Sequence, residues 1–389
     1  MTSPPLRRPG APARPRLCLV EPRHSHEEVL SPLIGALAED FDLHVHAPRS
    51  LLALDLLQAQ AGQFRARPFR WEQSAPRLRR AAQLPGLYRR LRREIDEIEP
   101  DLVLFNSVHD AADLLFIALA FRGVRKVQVV HDFRLFMRPG LRALYGQFDH
   151  NLVLSDDVLD YMCRHHQEFG RLDYYLPLHY EPFRSTGPQS SGEQTGPLEL
   201  VVLGSTDLRR RNYVGLLDGL GAAGFRDSTA PIRVEFVGRA SAQLKAKVAA
   251  NRLEGCVRLH DAFVPFEEMF ATLKRADLLL FLVDETTENV FSYNRLQTSC
   301  SSIWARAFEK VCVSSKALKI DKKLEDKCFF YDGSEIAQFL RRVGDGEIGR
   351  EAIEAKRRRF REDGMPSREL ERARLVSLLL RVAGHRPRW

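Results

Sequence analysis

The sequence predicts an α/β protein built from two doubly wound domains of similar size. Three observations carry that expectation: short strands apolar on both faces, helical periodicity between them, and a long break after which the same alternation restarts. A chain of 389 residues also exceeds one ordinary core, so length alone predicts two domains. Apolar content of 44% and charged content of 28% are those of a globular protein.

In the first half the strand candidates are "RLCLVEP", "DLHVHAP", "DLVLFNS", "KVQVVHD" and "HNLVLSD", each ending in a polar loop. Continuous apolar runs of this length suit parallel strands covered on both sides. Helical patterns lie at 27–39, 86–98 and 110–121. Together they define an N-terminal domain over 16–180. The leader before it, 1–15, reads "MTSPPLRRPGAPARP"; it has no apolar h-region and is expected to be disordered. Residues 181–197, "EPFRSTGPQSSGEQTGP", are rich in Pro, Gly, Ser and Thr and read as the linker. The alternation then resumes with "LELVVLGS", "IRVEFVG", "VRLHDAF", "DLLLFLVD", "KVCVSS" and "CFFYDG", and with helices near 213–221, 240–252, 266–275, 299–308 and 335–343. These form a C-terminal domain over 198–366, and a helix and tail at 367–389 can cross back to the first domain. Open α/β sheets bind ligands beyond the carboxyl ends of their strands, so two such domains facing across a cleft make that cleft the expected site.

Charge is uneven. The net charge is +8, and between Arg65 and Arg93 there are ten arginines against one acid, Glu72. Such a run favours a polyanionic neighbour, although a solvated helical face has the same composition. The run has few interleaved aromatics and no recognition motif, so nucleic acid is not expected. An anionic membrane surface along Arg77–Arg93 is. The longest apolar runs, "LLFIALAF" and "LLLFLV", fall far short of the roughly 20 residues of a membrane span. The six cysteines (18, 163, 256, 300, 312 and 328) are scattered without C-x-x-C spacing. They predict reduced core residues in a cytoplasmic protein, peripheral at most to the inner face of the plasma membrane.

Candidate chemistry gathers in the second half. "VVLGSTDLRRRNYVGLLDGL" places a Gly204-Ser205 turn after a strand, then Arg209, Arg210 and Arg211 before a helix. Backbone N–H groups of such a turn approach an anion, and guanidinium groups grip phosphate oxygens. An ordinary βα turn with exposed arginines reads the same way. "FVGRA" repeats the theme with Gly238. The run Thr298, Ser299, Cys300, Ser301, Ser302 opens a helix, either as plain capping or as an exposed N-terminus suited to a diphosphate. His165 and His166 lack a third ligand at zinc spacing and read as surface residues. "DFD" at 40–42 lies between a helix and a strand, away from the binding rim, and no metal or cofactor is expected.

The order and spacing of "LGSTDLRRRNYVGLLDGL", "VRLHDAFVPFEEMFATLKRADLLLFLVD", the small-residue helix before "EKVCVSS", and "VVHDF" resemble the GT-B nucleotide-sugar glycosyltransferases. The likeness is to their large retaining group 1 / family 4-like branch and spans about 16–383. It implies two Rossmann-like domains, the second binding a nucleotide diphosphate sugar and the first a glycan or lipid-linked acceptor. By that resemblance Arg211 stands at the basic residue before the helix and Arg209 near its partner arginine, both neutralising the leaving diphosphate. Gly204, Ser205, Gly238, Glu288, Asn289, Tyr293, Thr298, Ser299 and Ser301 complete the donor side. His131 matches the catalytic His-Asp position with Asp132 beside it, and His24, His26, Asn106 and Asp132 are placed on the acceptor side. The branch's E-x7-E pair falls on Leu296 and Trp304 here, neither of which can accept a hydrogen bond from a sugar. The implied activity is retaining hexosyl transfer; the alternative is an inactive binding or scaffold protein on the same frame.

Overall fold

The computed structural model describes residues 14–23, 26–70, 77–108, 110–166, 171–178, 196–204, 206–226, 229–288, 290–364 and 367–385. The chain divides into two compact units. The first comprises Met1–Pro177, Leu296–Thr298 and Pro366–Trp389; the second comprises Leu178–Arg295 and Ser299–Met365.

In the first unit the elements run β1 (Arg16–Val20), α1 (Glu27–Leu37), β2 (Asp42–Pro48), α2 (Arg49–Leu52), α3 (Asp55–Gln58), β3 (Arg65–Phe69), α4 (Arg77–Asp96), β4 (Leu102–Phe105), α5 (Ala111–Ala120), β5 (Lys126–Val130), α6 (Pro139–Tyr145), β6 (His150–Val153), α7 (Asp156–His165) and β7 (Leu172–Tyr174). All seven strands pair in parallel in the order β3-β2-β1-β4-β5-β6-β7. The central strands β1, β4 and β5 are buried along nearly their whole length, as strands covered on both faces must be. Two sequence readings change here. The start of the arginine-rich stretch is an edge strand, β3, whose Arg65, Arg67 and Pro68 suit an exposed edge. His166 is buried against Phe136, not a surface residue.

The second unit runs β8 (Leu198–Leu203), α8 (Tyr213–Ala222), β9 (Ile232–Arg239), α9 (Ala242–Ala250), β10 (Val257–His260), α10 (Phe266–Arg275), β11 (Leu278–Leu280), α11 (Val290–Arg295), α12 (Cys300–Ala307), β12 (Val311–Ser315), α13 (Lys322–Glu325), β13 (Cys328–Tyr331), α14 (Ile336–Gly344) and α15 (Arg350–Asp363). Its six strands are parallel in the order β10-β9-β8-β11-β12-β13. The last helix, α16 (Arg368–Ala383), belongs to the first unit. It buries Leu375 and Leu379 in the core that α1 shares, and Arg372 donates to the Ala36 carbonyl at 3.2 Å.

Polar side chains start the helices where the sequence offers them. Asp110, Ser155, Asn212, Ser241, Ser299 and Ser367 each accept a backbone N–H at a helix start, satisfying donors that the helix cannot. Four cysteines are buried, but Cys163 and Cys300 are exposed, so not all are core residues. Among the described residues no helix is long and apolar enough to cross a membrane.

Candidate functional site

Each sheet reverses its strand order once, and the loops flanking a reversal leave the crevice in which such sheets bind ligands. In the second unit the reversal lies between β8 and β11. The strand β8 ends on Gly204, whose φ of 94° suits glycine. A Cβ on the adjacent Gly238 would stand 2.3 Å from the Gly204 carbonyl oxygen. The two loops therefore cross at backbone contact, and a side chain at 238 is excluded. Thr206 locks the crossing: its hydroxyl donates to the Arg239 carbonyl at 2.8 Å and accepts from the Ser241 N–H at 3.0 Å.

The third loop is tied in by Asn212. Its side-chain oxygen caps α8 by accepting from Gly215 N–H at 2.8 Å, and its nitrogen donates to Asp284 at 2.6 Å. Its backbone N–H donates to the carbonyl of Leu282 at 2.8 Å, a fully buried residue held at a φ of 52°. The left-handed turn follows the end of β11 at Leu280, although the apolar run continues to Val283. Asp284 has no exposed surface and also accepts from the Thr286 N–H at 2.9 Å and hydroxyl at 2.6 Å.

Over this frame lies Arg211. Its Nη1 sits 3.1 Å from where a Cβ on Gly204 would be. It donates to the Leu203 carbonyl and approaches the Tyr213 hydroxyl at 3.4 Å. Tyr293 on α11 and Cys300 at the opening of α12 lie within electrostatic range of its guanidinium. Arg209 is 71% exposed and pairs with Asp207 at 2.9 Å; hydrogen bonds from Arg209 hold the Asp207 carboxyl below its usual range. The Arg209 carbonyl accepts from the N–H of the exposed Glu288 at 3.2 Å. Ser299 caps α12 by accepting from Ser301 N–H at 3.2 Å. The Ser301 side chain is buried, and its hydroxyl has no hydrogen-bond partner among the described residues. Thr298 falls in the first unit with Leu296 and Gln297.

The E-x7-E positions are core positions. Leu296 is buried in the hydrophobic cluster of the first unit. Trp304 is buried against Phe270 and Phe308, with ring centroids 5.4 and 6.2 Å away.

In the first unit the reversal lies between β1 and β4. Glu21 follows β1 with no exposed surface and accepts from Asn106 at 2.8 Å, from the Ser107 hydroxyl at 2.6 Å and from the Arg23 N–H at 2.9 Å. Burial pushes its carboxyl up to about 7, against the lowering effects of His26 and these hydrogen bonds. His131 places Nε2 2.7 Å from the Asn106 carbonyl oxygen. A carbonyl only accepts, so in the neutral ring Nε2 carries the proton and Nδ1 the lone pair. The His26 and His131 rings lie 3.9 Å apart, tilted by 38°. His26 has a left-handed backbone (φ 65°) and its Nδ1 is 3.2 Å from Glu28. Burial depresses the His26 imidazolium, but Glu28, Glu21 and Glu27 outweigh it and hold its pKa above the ordinary value. Burial, then the charge of Glu28, also pushes Glu27 up to about 7. Asp132 accepts from the Arg134 N–H at 2.8 Å and bridges to Gln297.

Residues 27–171 match the family model of Glycosyltransferase Family 4. Among solved structures the chain is similar to a glycosyltransferase from Rickettsia africae ESF-5, with a TM-score of 0.65, 11% identity, and 95% of this chain and 98% of that chain covered. The chain shares the fold of this structure, with two Rossmann-like α/β units. An α,α-trehalose 6-phosphate synthase from Burkholderia multivorans is also similar (TM-score 0.64, 13% identity, 95% and 99% covered), as is a UDP-N-acetylglucosamine 2-epimerase (0.62, 10%, 97% and 99%). No curated protein sequence matches this chain.

Of the residues expected from sequence, the structure gathers Gly204, Gly238, Arg211, Tyr293, Ser299 and Ser301 in the second unit, and His26, Asn106 and His131 in the first. His24, Ser205 and Asn289 lie outside the described residues. Sequence reasoning passed over Glu21, Ser107, Thr206, Asn212 and Asp284. Glu21 and Asp284 carried a readable signal, since each is an acid ending an apolar strand run, at the rim where open sheets bind ligands. Asn212 carried another, an N-cap residue directly before a helical pattern.

Proposed function

We propose that this protein is a glycosyltransferase that moves a hexose from a nucleotide diphosphate sugar to a glycan or lipid-linked acceptor with retention of configuration. The observation that carries the reading is the convergence on Arg211 of the Gly204–Gly238 crossing and the α12 start. Backbone N–H groups, a fixed cation and an unpartnered serine hydroxyl suit a diphosphate. In a retaining reaction the bond from the anomeric carbon to the diphosphate oxygen breaks as the acceptor oxygen bonds to the same face. The departing phosphate oxygen takes the acceptor proton, so the second unit needs no carboxylate base. His131 and His26 belong to the acceptor side, with Glu21 and Asn106 fixing their loops.

A second reading is a GT-B protein that binds a nucleotide sugar without transferring it. Burial of Leu296 and Trp304 favours it, because these positions offer the sugar no acid. Thermal shift against UDP-, GDP- and ADP-sugars, followed by transfer and nucleotide-release assays with the best binder, separates the two. Stabilisation with turnover supports the transferase; stabilisation without turnover supports the binding protein; no stabilisation by any of them defeats the donor site. Arg211→Ala is expected to weaken donor binding at least about tenfold, since it removes a charge-assisted contact. Normal donor binding by that variant would refute the phosphate cradle.

A further inference from the structure

The helices α4, α5 and α6 cover one face of the first unit's sheet, sharing a core with Val20, Val103 and Phe105. What that layer turns outward differs from an ordinary solvated surface. The helix α4 buries Leu84, Leu87, Leu91 and Ile95 and leaves Arg89, Arg90 and Arg93 exposed. Alongside it α5 buries Leu114 and Ile117 but leaves Leu115 42% and Leu119 64% exposed. The two helices are fixed side by side, with Tyr88 stacked on Phe116 at 6.2 Å and Arg92 donating to the Ala120 carbonyl at 3.0 Å. At the start of α6, Arg138 and Met137 are exposed as well. Among the described residues, the exposed acids of this layer lie at its ends: Asp96 in the last turn of α4 pairs with Arg92 at 2.8 Å, and the half-exposed Asp110 at the start of α5 pairs with Arg23 at 3.1 Å.

We propose that this outer face docks on an anionic lipid bilayer, with Leu115 and Leu119 entering the headgroup boundary and the arginines meeting lipid phosphates. A bilayer interface satisfies both halves of the surface at once, burying apolar side chains while attracting cations. A nucleic acid would neutralise the arginines and leave the leucines in water. The docking explains how a lipid-linked acceptor would be reached, and so deepens the transferase reading, but it is measured without any donor or acceptor.

The full chain is tested by co-sedimentation with vesicles of phosphatidylcholine alone and of phosphatidylcholine with phosphatidylglycerol, at low and high salt. Binding is expected only to the anionic vesicles and is expected to weaken with salt. The triple variant R89E/R90E/R93E should lose at least about tenfold in partitioning, as each arginine near the surface contributes. L115S/L119S should lose about tenfold through its apolar contacts, and its greater polarity at exposed positions leaves folding intact. Arg341→Glu, exposed on α14 of the second unit, should bind as the native chain does. Leu119→Trp should shift its emission to the blue on anionic vesicles alone. The proposal is overturned by equal binding to neutral vesicles, by L115S/L119S binding like the native chain, or by an unshifted tryptophan. Arginine-dependent binding to a random oligonucleotide with none to vesicles would assign the face to nucleic acid instead. Because donor thermal shifts are read on the same variants, vesicle binding can survive failure of the donor site, and the reverse.

Discussion

The two strand-order reversals are alike in topology and opposite in chemistry. At the first, a buried acid and two adjoining, mutually tilted imidazoles gather, and burial brings the Glu21 carboxyl up to about 7. At the second, a guanidinium lies over glycine backbone, a group that stays charged at any physiological pH. Each holds a buried polar atom with no protein partner among the described residues, such as Asn106 Oδ1 in the first and Ser301 Oγ in the second. The same sheet frame thus carries buried titratable groups at one reversal and a fixed cation at the other. The difference lies in a few residues at the strand ends, which is where GT-B chains can change chemistry without changing fold.

The strongest challenge to this comparison is to restore an acid where the second unit has an indole. Trp304→Glu should unfold the second unit or cost about 3–5 kcal/mol, because it trades a buried aromatic for an unpaired carboxylate. Chemical denaturation measures the loss. A variant that folded normally and gained donor affinity would show that position 304 faces the sugar, contrary to its packing on Phe270.

Gly238→Ala comes next. Its Cβ would meet the Gly204 carbonyl oxygen at 2.3 Å, and backbone on backbone cannot yield as a side chain can. A cost of about 2–4 kcal/mol is expected, with donor binding lost through the displaced Gly204 turn. An unchanged midpoint in urea would mean that the loops do not cross as closely as they stand.

Much of this was legible in the chain. The alternation of buried strands and helices fixed both sheets, because continuous apolar runs such as "DLVLF" and "LELVVL" have no other comfortable setting. Gly204, Gly238 and Arg211 were readable because turn chemistry and charge are local signals. Glu21 was harder. Its partners Asn106 and Ser107 lie far along the chain, and only the parallel pairing of β1 with β4 brings them to it. The burial of Leu296 was also hidden, since a three-residue piece of the chain, 296–298, joins the first unit from within the second, and local periodicity carries no trace of that.

Glu21→Gln tests the titratable half of the comparison through pH. The folded-state pKa of Glu21 is raised from 4.5 to about 7, so the fold binds its proton more tightly than the unfolded chain does. Stability from this group is therefore full below pH 4.5, falls between about 4.5 and 7 and stays lost above that. The glutamine resembles the protonated form, and the variant should lack this share of the fall, on the order of 2–3 kcal/mol between pH 5 and 8. The share owed to Glu27, also raised to about 7, remains. The imidazole of His26 loses one of the acids that raise its pKa, so NMR titration should find that pKa lower in the variant. Parallel stability–pH curves for the two proteins would place the titration elsewhere.

Ser301→Ala carries the smallest effect on stability and bears directly on what the second reversal is for. A buried hydroxyl without a partner costs the folded chain its hydration, so removing it should leave stability unchanged or raise it by about 1 kcal/mol. Had the serine been kept only to cap α12, the neighbouring Ser299 already does that work through the Ser301 N–H, which alanine retains. The proposed role is an oxygen waiting for a phosphate, and there the same change should weaken binding of the best nucleotide sugar severalfold. Opposite signs in one variant, a fold no weaker and a donor held less tightly, are the signature of a residue retained for its ligand. If calorimetry finds donor affinity untouched by Ser301→Ala, the hydroxyl does not meet the diphosphate, and the cradle reduces to Arg211 and the backbone of the two glycine turns.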